Sequence, residues 1–245
     1  MGRVIDILYG SNLGCGTSQD VFTLASQVLQ IEHQLSEAQK TFPPFLRLVE
    51  PQELDRETPD TILKFRVVYT LRYHNLRILT HRPLLRRYLE VLSSQDEDTK
   101  QMAPLVQMGL NSLRICMQSA GSIVELMSQL TSSNRKARGL FGAWWFSLFY
   151  SRCQLPDLRR DSPNSLIAFN AALVLYAGLL IQTYAKAHER VLSLGDVIVR
   201  RELLVRAIQC LMSLDKNNPM TEKCARYTSK LDRVLTVLGK PSIPE

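Results

Sequence analysis

The sequence predicts an all-α fold: a single irregular helical domain of about seven helices, spanning residues 1–245. Three observations carry that expectation. Apolar residues recur at steps of three and four through most of the chain, strand-type alternation is nearly absent, and helix caps and prolines punctuate the segments. There is no βαβ alternation to suggest a parallel sheet, and no internal repeat or low-complexity linker.

The first helix is expected after the glycine-containing loop YGSNLGCGTSQD, with Thr17 or Ser18 as its cap. Its apolar stripe is Val21, Leu24, Val28, Ile31, Leu35 and Ala38, ended by Pro43 and Pro44. The stripe is too short for a free coiled coil, so the helix is expected to pack within the domain. A second helix starts at Thr58 and Pro59 and runs to about His81, where Pro83 stops it. A third, from about Met102 to Leu130, places Leu105, Met108, Leu113, Cys116, Ala120, Ile123, Met127 and Leu130 near helical spacing. The polar, basic stretch TSSNRKARG then reads as a surface loop.

Phe141, Trp144, Trp145, Leu148 and Phe149 fall at i, i+3, i+4, i+7 and i+8, which predicts a short amphipathic helix ended by Pro156. After Ser162 and Pro163 comes a long helix, apolar on every face from Ser165 to Ile181, with Asn170 near its middle. At 17 residues this run sits at the bottom of the membrane-spanning range. A polar amide mid-span favours a buried core helix instead. The last two helices are expected at about Asp196 to Leu214 and Pro219 to Leu238, the latter capped by Asn218 and closed by Gly239 and Pro241.

Composition narrows the class. At 45% hydrophobic, a 245-residue chain can bury a sizeable core without a disulfide or metal to hold it. Its five cysteines are odd in number and form no CxxC pair, which predicts reduced core thiols and an oxidant-poor compartment. MGRVIDILYG has no secretory h-region, and Asp6 stands where a myristoylation signal wants Ser or Thr.

On the second helix a polar seam of Arg66, Thr70, His74, Arg77 and His81 runs along an otherwise apolar rod. His74 and His81 are seven residues apart, about 10 Å along a helix, too far for one metal ion. No metal and no cofactor is expected. The seam then has two readings: a solvated or hydrogen-bonded edge, or the polar wall of a cavity that orients an acidic or hydroxylated effector. Tyr73, Trp144 and Trp145 are candidates to line the same apolar pocket, although adjacent aromatics at helical spacing more commonly belong to a core.

Between Pro59 and Glu90 there are seven Lys or Arg residues against two acids, so most of the net charge of +7 lies there. Arg72, Arg82, Arg86 and Arg87 leave the seam, and no aromatics interleave a basic stripe, which disfavours direct DNA or RNA binding. Catalytic signatures are missing: no GxSxG, Walker loop, GxGxxG after a strand or HExxH. The acidic run Asp96 to Asp98 reads as a solvated loop, since no second acidic motif faces it.

The order Tyr73, His74, Ile78, Leu79, His81, Arg82, Pro83, Leu84, Leu85 resembles the YHxxxILxHRPxL segment of the fungal-specific transcription factor domain. That is the regulatory, or middle homology, region of six-cysteine zinc-cluster transcription factors. ILYGSN, the Cys116 and Ala120 helix, the Trp144 and Trp145 helix, the long apolar helix and a terminal helix pair are similar to that family in the same order. The resemblance implies an all-helical, non-enzymatic, nuclear regulatory domain, with other regulatory proteins or the rest of a longer factor as partners and a small-molecule effector. The chain departs from the family in carrying no zinc-cluster cysteines, so no zinc or DNA-reading residue is carried over, and a truncated part of a larger helical domain is expected. The competing class is a helical enzyme or small-molecule carrier with a cavity near His74, Arg77 and His81.

Overall fold

The computed structural model describes Leu8 and residues 20–54, 59–93, 102–132, 163–187, 200–214 and 219–238. Six α-helices lie among them, with no strand: α1 (Val21–Thr41), α2 (Asp60–Ser93), α3 (Met102–Ser132), α4 (Pro163–Ala187), α5 (Arg201–Leu214) and α6 (Pro219–Leu238). The expected Phe141 to Phe149 helix with its tryptophans, the Asp96 to Asp98 run and residues 196–199 lie outside the described residues.

α1 is capped by Asp20, not by Thr17 or Ser18. The Asp20 Oδ2 accepts from the amides of Phe22 and Thr23 at 3.1 and 3.2 Å, satisfying two of the helix's unpaired donors. Of its expected stripe only Leu24, Val28 and Ile31 are buried, joined by Ala25, while Ala38 is exposed. These residues close a small core with Leu8 and Leu84, placing α1 against α2. Between α1 and α2 the chain makes two 3₁₀ turns, Pro44–Leu46 and Pro51–Glu53, which the sequence reading did not foresee.

α2 does not stop at the proline. It runs 34 residues with Pro83 in its interior, to Ser93. An interior proline costs roughly 3 kcal/mol in lost hydrogen bonding and ring clash. The turn that follows it carries Leu84, Leu85 and Tyr88, which are 3%, 3% and 0% exposed. Burying each such side chain is worth roughly 1.5 to 3 kcal/mol, so packing outweighs the proline and the helix continues. α3 crosses this region closely. A Cβ on Gly109 would stand 2.5 Å from the Cβ and Cγ of Tyr88, so only glycine lets the two backbones approach at that point.

α3 and α4 form the centre of the main core, covered by α2 on one side and α5 and α6 on the other. Leu113, Cys116, Ala120, Ile123, Met127 and Leu130, all expected on the apolar stripe of α3, are fully buried. In α4 the window Leu166–Tyr184 is long and apolar enough to cross a membrane on length and composition, and half of it is buried inside the protein. Asn170 does not interrupt that apolar helix unpaired: its Nδ2 donates to the Oδ1 of Asn75 on α2 at 3.2 Å.

Candidate functional site

The seam on α2 is turned inward along most of its length, against α1 at one end and the 3₁₀ segment at the other. Arg66 is 7% exposed, Thr70 and His81 each 2%, while His74 and Arg77 are half-buried. A buried cation needs a partner, and two carboxylates distant in sequence supply the counter-charge.

Glu53, on the second 3₁₀ turn, is the first. Its Oε2 accepts from Arg66 Nη2 at 2.8 Å and its Oε1 from Arg47 Nη2 at 2.7 Å. Arg66 Nε also donates to the Arg47 carbonyl at 3.0 Å. One turn on, the Thr70 hydroxyl accepts from the Val49 amide at 2.9 Å and donates to the Arg66 carbonyl at 2.8 Å. Burial pushes the Glu53 carboxyl up, but its bonds from the Glu50 amide and Arg66, with the nearby guanidinium charges, hold it below the usual carboxylate range. This end of the seam therefore straps residues 47–53 onto α2.

Glu32, on α1, is the second. Arg77 donates to its Oε1 through Nε at 2.8 Å and Nη2 at 2.6 Å. Its Oε2 lies 3.5 Å from His81 Nε2, an ion-pair distance at which neither atom completes a hydrogen bond. Burial raises the Glu32 carboxyl, and against it the His81 and Arg77 contacts and the guanidinium charge hold it down at about 2. On its far side His81 Nδ1 lies 3.2 Å from the Ser112 hydroxyl of α3. Arg77, Glu32, His81 and Ser112 thus form a continuous polar chain through α2, α1 and α3.

A hydroxyl, an imidazole and a carboxylate in line have the composition of a hydrolytic triad. The setting is different. Ser112 and His81 are 1% and 2% exposed, so an acyl carbon has no approach to the hydroxyl. The same contacts that would tune a base here pin α1 to the bundle.

His74 is set apart from these pairs. Its Nδ1 is buried without a hydrogen-bond partner among the described residues. Burial, aided by the Arg77 charge, brings the imidazole down to about 4, so it sits neutral. The Tyr73 ring meets it edge-on at 5.5 Å and carries the Arg77 guanidinium 5.9 Å from its centroid. Tyr73 continues an aromatic series through Tyr69 at 6.4 Å to Phe42, whose ring lies 4.3 Å from that of Tyr69.

The structure therefore gathers Tyr73, His74, Arg77 and His81 at the α1–α2 junction. Trp144 and Trp145 lie outside the described residues. Sequence reasoning did not find Glu32, Glu53 or Ser112. The Arg77 partner stands 45 residues away and the His81 partner on α3 stands 31 away, and no spacing rule connects residues so separated. Among the described residues no group of three His, Cys, Asp or Glu side chains is placed to hold a metal ion.

The chain is similar along nearly its whole length to two curated proteins. It is 26% identical over 237 residues to the transcription factor FBD3 of Gibberella moniliformis, covering 96% of this chain and 29% of that protein. It is 25% identical over 246 aligned residues to the transcription factor FBD3 of Fusarium pseudograminearum, covering 98% of this chain and 30% of that protein. The chain thus spans about three tenths of the length of these relatives. No protein-family model matches it, and neither does any solved structure.

Proposed function

We propose that this chain is a non-enzymatic regulatory segment of a fungal transcription factor, acting in the nucleus through contacts with other regulatory proteins or with the rest of a longer factor. The observation that carries the reading is the likeness, over 96% and 98% of the chain, to two proteins named as transcription factors. The geometry of the seam is consistent with it. The seam cations Arg66 and Arg77 are neutralised by Glu53 and Glu32 and fasten elements together.

An acidic or hydroxylated effector fits this reading at Tyr73, His74, Arg77 and His81. Such a ligand would replace Glu32 as the counter-ion of Arg77, and binding would then be coupled to release of α1. Trp144 and Trp145 belong to the same proposal as pocket-lining candidates.

The test is a tethered reporter assay: the 245-residue chain is fused to a heterologous DNA-binding domain and a constitutive activation domain in yeast. Reporter output is expected to shift several-fold relative to the same fusion without the chain, and a core-breaking Leu126→Asp variant to abolish the shift. Unchanged output from a stably expressed intact fusion would count against a regulatory role.

A further inference from the structure

We infer that the outer face of α6 is a docking surface for an acidic amphipathic helix of a partner protein. The inner face of α6 is fixed in the core through Thr221, Cys224, Ala225, Thr228 and Leu235. Its solvent face is not uniformly polar but divides into two parallel stripes. Lys223, Arg226, Lys230 and Arg233 are exposed at i, i+3, i+7 and i+10, forming a cationic stripe over three turns. Beside them Tyr227, Val234 and Leu238, at i, i+7 and i+11, are 53%, 44% and 53% exposed; Val237, in line with the cations one turn beyond Arg233, is 70% exposed. The Tyr227 ring is steadied edge-on by Phe169 of α4 at 6.1 Å, so the apolar stripe begins on a positioned aromatic.

Among the described residues, carboxylates answer only part of the charge on this face. Asp232 is turned toward α5, where it accepts from Arg201 Nε at 2.9 Å. Glu222 lies 3.7 Å from Arg226 at the first turn. Among the described residues no carboxylate pairs with Lys223, Lys230 or Arg233.

Charge complementarity calls for an acidic occupant, and the two stripes select its form. From Lys223 to Leu238 the surface extends about 22 Å, the length of some fifteen helical residues. A rod with carboxylates on one edge and leucines on the next would cover both stripes at once. A nucleic acid would match the cations and leave four apolar side chains against phosphate. A lipid surface would need apolar residues central to the exposed face, where four cations stand against the single valine Val237. The surface is defined by α6 itself and stands whether or not the chain regulates transcription.

The test is fluorescence anisotropy with the full chain and a labelled 18-residue helix-forming peptide carrying glutamate on one stripe and leucine on the adjacent one. Binding is expected to weaken with salt and at least tenfold in the combined Lys223→Glu, Lys230→Glu, Arg233→Glu variant. A lysine-for-glutamate peptide should bind that variant better than the native chain, which also shows that the variant is folded. Equal binding of the glutamate peptide to both chains would overturn the inference, as would equal binding of a peptide whose leucines are glutamines. Tighter binding of a 20-base-pair DNA duplex or of phosphatidylserine vesicles, lost in the same variant, would reassign the face to nucleic acid or lipid.

Discussion

His74 shows how a single side chain sets the pH response. Held neutral at about 4, against an ordinary histidine value near 6.5, it takes up a proton more readily in the unfolded chain. Its contribution to stability is complete above about 6.5 and falls away as the pH drops toward 4, by about 3 kcal/mol. Glu32, held at about 2 against 4.5, adds a loss in the same direction but in the lower window from 4.5 to 2. Replacing His74 by Phe should therefore flatten the stability profile between pH 6.5 and 4 and leave the decline below 4.5 in place. Urea midpoints measured at half-unit steps check this; a variant profile parallel to the native one would mean that the imidazole is hydrated and ordinary. The position of His74 on the seam was legible from helical spacing alone. Its lack of a partner was not, because that depends on Glu32 taking up Arg77 from another helix.

At the scale of elements, long periodic segments were legible and their ends were not. α3 and α6 match the expected spans because their apolar stripes and flanking punctuation agree. α2 overran Pro83 because the decision rested on tertiary burial of Leu84, Leu85 and Tyr88, which local sequence does not reveal. α1 is the most separable element: its own small core with Leu8 and Leu84 is distinct from the main one, and Glu32 supplies its ion pair to Arg77. Glu32→Ala leaves the half-buried Arg77 without that counter-ion, at a cost of about 1 to 3 kcal/mol. The loss should fall on α1 alone. Hydrogen exchange of amides 24–35 is expected to accelerate by one to two orders of magnitude, with the amides of Ile123 to Leu130 unchanged. Equal acceleration in α3 would show that α1 opens only with the whole protein.

Across the whole molecule, the all-helical class was legible because period-3.6 patterning recurs from end to end, whereas the order of packing was not. α3 and α4 become central because each is covered on two sides, by α2 on one and by α5 and α6 on the other. One continuous core then joins α2 to α6, and its cysteines offer a direct test of that continuity. Cys116 on α3, Cys210 on α5 and Cys224 on α6 are 0%, 3% and 5% exposed. Burial pushes the Cys116 thiol up to about 12 and that of Cys210 up to about 11, where the reactive thiolate is scarce at neutral pH. In a background with Cys15→Ser and Cys153→Ser, all three should resist a thiol reagent in native buffer. In graded denaturant they should label at one common rate that follows global unfolding, because no helix can bare its thiol without opening the shared core. Faster labelling of Cys224 than of Cys116 would show that α6 leaves the bundle before α3 opens. The terminal helix would then be a separate cooperative unit despite its burial.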